Sequence, residues 1–145
     1  MPDAGPVLGF DFGEQRIGVA VGQRVTGTAS PLTTLTSKNQ NPDWDAIAAL
    51  IREWKPEALV VGMPYHLDGN ETRLSERIKK FCRQLEGRYR LPVYQIDERL
   101  SSAEAERYLK HERQQGRKKR IQKNEIDQLA AAIQLESWLS GEAHD

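Results

Sequence analysis

The stretch VLGFDFGEQRIGVAVG (residues 7–22) decides the fold. Residues 7–12 form a β-prone apolar run that Gly13 interrupts, and RIGVAVG (16–22) resumes the same character after the short GEQ connection. Two strands this close in sequence pair as an antiparallel hairpin. One carboxylate, Asp11, sits inside the run, where a buried charge requires a partner.

Working outward, TGTASPLTTLT (26–36) predicts a third strand, with Pro31 placing it at a sheet edge. In NPDWDAIAALIREW (41–54), Ile47, Leu50, Ile51 and Trp54 recur at helical spacing. ALVVG (58–62) is short and wholly apolar, as in a parallel strand covered on both faces. A second helix is expected over 71–87, with Leu74, Ile78, Phe81 and Leu85 on one face and Gly87 as its stop. PVYQI (92–96) reads as a strand. After it, Ser101 and Glu104 have capping-box spacing for a further helix. A last helix is expected from about Asn124 to Leu139. The order β-β-β-α-β-α-β-α-α implies an α/β fold: an antiparallel meander joined to parallel strands in one mixed sheet flanked by helices. Ligands gather at the carboxyl ends of the parallel strands in such sheets.

The 145 residues suit one domain spanning 1–145. A single cysteine, Cys82, allows no intrachain disulfide and fits a reducing compartment. The N-terminus has no secretory pattern, and no apolar run is long enough to span a bilayer, so a cytoplasmic protein without a membrane partner is expected. Lys and Arg balance Asp and Glu at 21 each, but unevenly. Residues 107–123 hold eight basic residues against one acid, a local excess of seven positive charges that the rest of the chain offsets. An anionic partner should therefore bind locally.

Three acids occupy informative places. Asp11 ends the first strand, Glu98 follows the strand ending at Ile96, and Asp127 lies at the start of the last helix. All three can reach one end of the sheet. Carboxylates without His or Cys partners select hard cations, Mg²⁺ or Mn²⁺, and such a site can cleave phosphodiesters. Each acid also has a plainer reading. Asp11 could be solvated or cap a turn, Glu98 could belong to a surface pairing of Asp97 with Arg99, and Asp127 could be an N3 acid favoured by the helix dipole. Ala130 and Ala131, one turn beyond Asp127, would let that face approach the sheet backbone, with Ile126, Leu129 and Ile133 packing beside it.

Four blocks, DFGEQRIGVAVG, VVGMPYHLDG, DERLSSAEAE and IDQLAAAIQLE, occur in order across nearly the whole chain. Together they resemble the signature blocks of the YqgF family, whose members are named as Holliday-junction resolvases or pre-16S ribosomal RNA nucleases. The resemblance implies an RNase H-like fold with a five-stranded mixed sheet. It also implies a metal-dependent nuclease in which Asp11, Glu98 and Asp127 are catalytic and hold Mg²⁺ or Mn²⁺, and a cytoplasmic role in maturing the 5′ end of small-subunit ribosomal RNA. Gln15 stands where the family often has Lys, and Ser102 where Thr is common. A fourth acid is not evident, since Asp97 would point away from Glu98 on an extended strand.

Nucleic-acid contacts are expected from Arg16 and from the basic run Arg113, Arg117, Lys118, Lys119, Arg120 and Lys123. Arg16 could alternatively pair with Glu14, and the run could be a solvated face. Tyr65 and His66 could meet a base or simply form a loop wall. Cys82 reads as core. An RNA precursor, within or outside ribosomal precursor particles, is the expected partner, bound by a monomer or a homodimer. The alternatives are a four-way DNA junction resolvase, a non-catalytic RNA-binding ribosome-assembly factor, and a phosphotransferase suggested by the first hairpin's likeness to that of actin-like and sugar-kinase ATPases.

Overall fold

A computed structural model describes residues 5–63, 74–97 and 123–142. Strands β1 (Pro6–Phe12), β2 (Arg16–Gln23) and β3 (Thr28–Thr36) are followed by helix α1 (Trp44–Trp54) and strand β4 (Ala58–Met63). Helix α2 (Ser75–Tyr89), strand β5 (Val93–Asp97) and helix α3 (Lys123–Glu142) complete the described elements. The five strands form one sheet in the order β3-β2-β1-β4-β5. The first three run antiparallel, and β1, β4 and β5 are mutually parallel. This is the mixed sheet that the sequence predicts, with Pro31 on an edge strand. Beside it, Val19 pairs with Thr33 and Ala20 with Pro31, so Leu32 is the extra residue of a bulge.

Strand alternation divides the core in two. Leu8, Phe10, Phe12, Ile17, Val19, Leu59, Val61 and Met63 face α1 and α2. Val7, Ala20, Ala58 and Val60 face α3, meeting Ala131, Ala132, Leu135 and Leu139. β4 is buried along its whole length because it lies between neighbours and under helices on both faces.

The helix ends show where local chemistry decides. Asp43 caps α1 by accepting from the Ala46 amide at 3.1 Å, and Lys55 closes it in a left-handed conformation with φ 47°. The stripe Ile47, Leu50, Ile51 and Trp54 turns to the core as predicted. Gly87, expected to stop α2, does not. The helix continues to Tyr89 and Arg90 takes the left-handed cap with φ 55°, after which Leu91 and Val93 return to the core. Ile78, Phe81, Cys82 and Leu85 are buried in α2, and burial pushes the Cys82 thiol up from its ordinary range. That is a core cysteine, not an activated nucleophile.

Helix α3 begins one residue before the predicted start and ends three after the predicted stop. Asp127 is therefore its fifth residue, and Glu125 is the acid of its first turn. The reading of Asp127 as a dipole-favoured N3 acid is corrected accordingly. Ile126, Leu129 and Ile133 are only partly buried; the face turned to the sheet carries Ala131, Leu135 and Leu139 instead. The capping-box helix expected after Ser101, the basic run up to Arg120 and the first turn expected for α2 lie outside the described residues. Among the described residues no helix is long and apolar enough to cross a membrane.

Leu135 is fully buried and would touch any Cβ placed on Gly9 or Gly22. Leu135→Ala should cost about 3 kcal/mol of stability, measured as a lowered urea midpoint with an unchanged m value.

Candidate active site

Helix α3 seats on a floor of glycines. Gly9 of β1 and Gly18 and Gly22 of β2 all face it. A Cβ on Gly9 would lie 3.1 Å from the Leu135 Cβ and 3.5 Å from the Ala131 carbonyl oxygen. At Gly18 the approach is closest: a Cβ there would overlap the Asp127 carbonyl and come within 2.9 Å of the Gln128 nitrogen. These are backbone atoms, which cannot swing aside. The close approach expected from Ala130 and Ala131 is thus real, and the strand glycines make the other half of it.

The β1–β2 register sets Gly18 directly opposite Asp11. Residues paired in this way project to the same face, so the backbone of Asp127 rests on the residue beside Asp11. The Asp11 carboxylate accepts a hydrogen bond from the Gln134 amide at 3.2 Å, two helical turns along α3 from Asp127. Arg16 lies two residues before Gly18 and shares its face. Its Nε donates to Asp127 Oδ2 at 2.7 Å. Neither of the roles expected for Arg16 from sequence describes this contact, and the Glu14 pairing is replaced: Glu14 sits in the hairpin turn, whereas alternation aims Arg16 at α3. The two side chains are 37% and 24% exposed, so solvent screens the pair and its net stabilisation is at most about 1 kcal/mol. Its effect is to orient the Asp127 carboxylate and compensate its charge. Glu136 anchors the same helix to the edge strand by accepting from the Ala29 amide at 3.0 Å.

The structure thus brings two of the three expected acids onto one sheet face. Asp11 stands near the carboxyl end of β1, beside the parallel strand β4, where this class of sheet places ligands. Glu98 lies outside the described residues, immediately after β5. Asp97 pairs with Met63 on the α1/α2 side of the sheet, opposite the face that carries Asp11. Among the described residues no three His, Cys, Asp or Glu side chains form a metal-binding group. Arg113, Arg117, Lys118, Lys119 and Arg120 lie outside the described residues, as do Tyr65 and His66; Lys123 is the first residue of α3.

Gln134 escaped the sequence reading. Its signal was present: it lies seven residues after Asp127, on the same side of a helix whose other inward residues are Ala and Leu. Gly18→Ala should lower stability by about 3 kcal/mol, because the clash is with backbone. It should also abolish any activity that depends on Asp127, whereas Ala at exposed Gly141, where a Cβ meets nothing within 4 Å, should be neutral in thermal melts and turnover.

The family described as "RuvX: Holliday junction resolvase" matches residues 5–141. A relative from Methylobacillus flagellatus is 52% identical over 137 residues, covering 94% of this chain and 92% of its own. Another from Legionella pneumophila is 48% identical over 135 residues, covering 93% and 95%. Both are named "Putative pre-16S rRNA nuclease". Among solved structures, Thermus thermophilus RuvC in complex with a Holliday junction substrate superposes with TM-score 0.59 at 18% identity, over 97% of this chain and 96% of that one. The Fowlpox virus resolvase with its junction gives 0.56 at 11% identity, over 94% and 98%. These likenesses establish the RNase H-like fold. With its sheet, its hairpin aspartate and its last-helix aspartate all inside the matched span, the chain belongs to the RuvX Holliday junction resolvase family.

Proposed function

We propose that this chain is a divalent-cation-dependent nuclease, a single domain over 1–145, that hydrolyses phosphodiester bonds at the 5′ end of precursor small-subunit ribosomal RNA in the cytoplasm. The observation that carries this reading is that Asp11 and Asp127 lie on the same sheet face, Asp127 over the residue paired with Asp11, each with a hydrogen-bond donor. Family membership supports the nuclease class, and the names of the relatives favour an RNA precursor.

The donor set suits a hard cation: carboxylate oxygens, with no His or Cys side chain beside them among the described residues. Asp11 and Asp127, joined by Glu98, would hold Mg²⁺ or Mn²⁺, which when bound supplies charge stabilisation and an acidified water. The chain's own residues do the positioning. Gln134 fixes the orientation of the Asp11 carboxylate. Arg16 holds Asp127 and offsets the repulsion of two acids brought together, and its remaining N–H groups are donors for a substrate phosphate. Arg113, Arg117, Lys118, Lys119, Arg120 and Lys123 would hold flanking phosphates.

The family description favours a second substrate, the four-way DNA junction. Purified protein should be offered ribosomal RNA precursor, single-stranded DNA and a four-way junction, each with Mg²⁺, Mn²⁺ or chelator. Precursor RNA should be cut only with metal, and Asp11→Asn should reduce cutting to background while the melting temperature holds. Preferred cutting of the junction would transfer the assignment to DNA; RNA binding without metal-stimulated cleavage would leave a binding factor instead. Affinity should fall with salt, with log K losing about 0.7 per phosphate contact to a single strand.

A further inference from the structure

On the sheet face opposite α3, the β1–β2 turn, the end of β3 and the start of α2 enclose a polar cavity of about 690 Å³. A smaller one of about 180 Å³ shares Asn39, Gln40 and Arg77 with it and extends along α2 to Lys80 and Gln84. Together they form one groove.

Its wall is a tight two-residue turn, with Lys38 and Asn41 exchanging backbone hydrogen bonds at 3.0 and 2.8 Å. Asn39 and Gln40 both hold positive φ, 51° and 67°. For glutamine that conformation is uncommon and persists only when its surroundings enforce it. Arg77 is the enforcing group: its Nη2 donates to the Gln40 carbonyl at 3.3 Å and lies 3.5 Å from that of Glu14. The guanidinium also sits 5.4 Å from the centre of the Phe12 ring. All of these contacts are neutral, and among the described residues no carboxylate pairs with Arg77. Lys80, one turn on, is exposed. The groove therefore combines two cationic side chains and a row of amides with one acid, Glu14, at the Gly13–Gln15 turn that Asp11 and Arg16 flank.

We propose that this groove is a second nucleic-acid subsite. It holds a single-stranded segment that leaves the active site across the hairpin turn, with its phosphates on Arg77 and Lys80 and its base edges on Gln40, Asn41 and Gln84. The inference rests on the nuclease reading and assigns that site's substrate path. Cations spaced along a groove meet a phosphate backbone. Amide donors and acceptors match base edges that are available only in an unpaired strand. From Arg77 to Gln84 the helix rises about 10 Å, room for more than a single phosphate.

The test is fluorescence polarisation of a labelled RNA single strand of about 12 nucleotides, titrated in chelator so that nothing is cut. Arg77→Gln with Lys80→Gln should weaken binding at least about fivefold and flatten the plot of log K against log salt by about 0.7 for each charge removed. Because Arg77 braces the turn, Lys80→Gln and Lys80→Glu are measured alone, with thermal melts. A graded loss, larger for Glu, at an unchanged melting temperature supports the subsite. Wild-type affinity and slope in both Lys80 variants overturn it, as does tighter binding of the matching duplex with equal sensitivity to these changes. Wild-type protein that fails to cut with Mg²⁺ or Mn²⁺ would sink the nuclease reading alone, since affinities measured in chelator do not depend on cleavage.

Discussion

Everything about the site depends on how closely helix α3 sits on the β1–β2 hairpin. A helix packed on a sheet through ordinary side chains stands well clear of the strands. Here Gly18 removes the spacer beneath Asp127, and Gly9 and Gly22 remove it beneath Leu135. The helix backbone drops onto the strand, and an aspartate more than a hundred residues away in sequence is seated over Gly18, the residue paired with Asp11. Leu135 and Leu139 supply the burial that holds the helix there, and Glu136 adds a polar tie to the edge strand. Precision at the site comes from missing atoms on one element and apolar atoms two turns away on the other.

Close seating creates an electrostatic difficulty that the same elements resolve. Two partly buried carboxylates on one face repel one another. Arg16 answers for Asp127 with a charge, and Gln134 answers for Asp11 with a neutral donor. The asymmetry is chemically useful. A neutral donor orients a carboxylate without placing a charge beside it. An arginine neutralises its partner but retains further donors, so the same residue can serve a phosphate.

Much of this was legible in the sequence because period and punctuation agreed. The hairpin, the edge strand with Pro31 and the covered strand β4 follow from apolar runs of strand length separated by turn residues. Asp11 stood out for a physical reason, a charge inside buried sheet. Asp127 was visible only through its small neighbours. What stayed hidden was tertiary. Gly87 looked like a helix stop, yet the tethering of Leu91 and Val93 to the core moved the stop to Arg90, a residue with no propensity for it. The approach of α3 through Ala130 and Ala131 was legible, but Leu135 and Leu139, which complete the buried face, were not singled out, and Ile126, Leu129 and Ile133 beside them are only partly buried. Arg16 and Gln134 could not be paired with their acids from spacing, since neither partner is local.

Alternation along β1 also explains why two polar regions can share one turn without interfering. Asp11 projects toward α3, where Gln134 donates to it. Phe12, the next residue, projects the other way, into the core under α2, where its ring lies beneath Arg77. One step of chain thus separates a carboxylate-bearing face from a cation-bearing one. The Gly13 amide closes the turn on the Arg16 carbonyl at 2.8 Å, so the two faces are held in fixed relation by a rigid hairpin rather than by a loop. A polyanion crossing that turn would pass from a positive groove to a site built of carboxylates, which repels it unless a cation intervenes. On the proposed substrate path, productive binding and cation occupancy would be coupled.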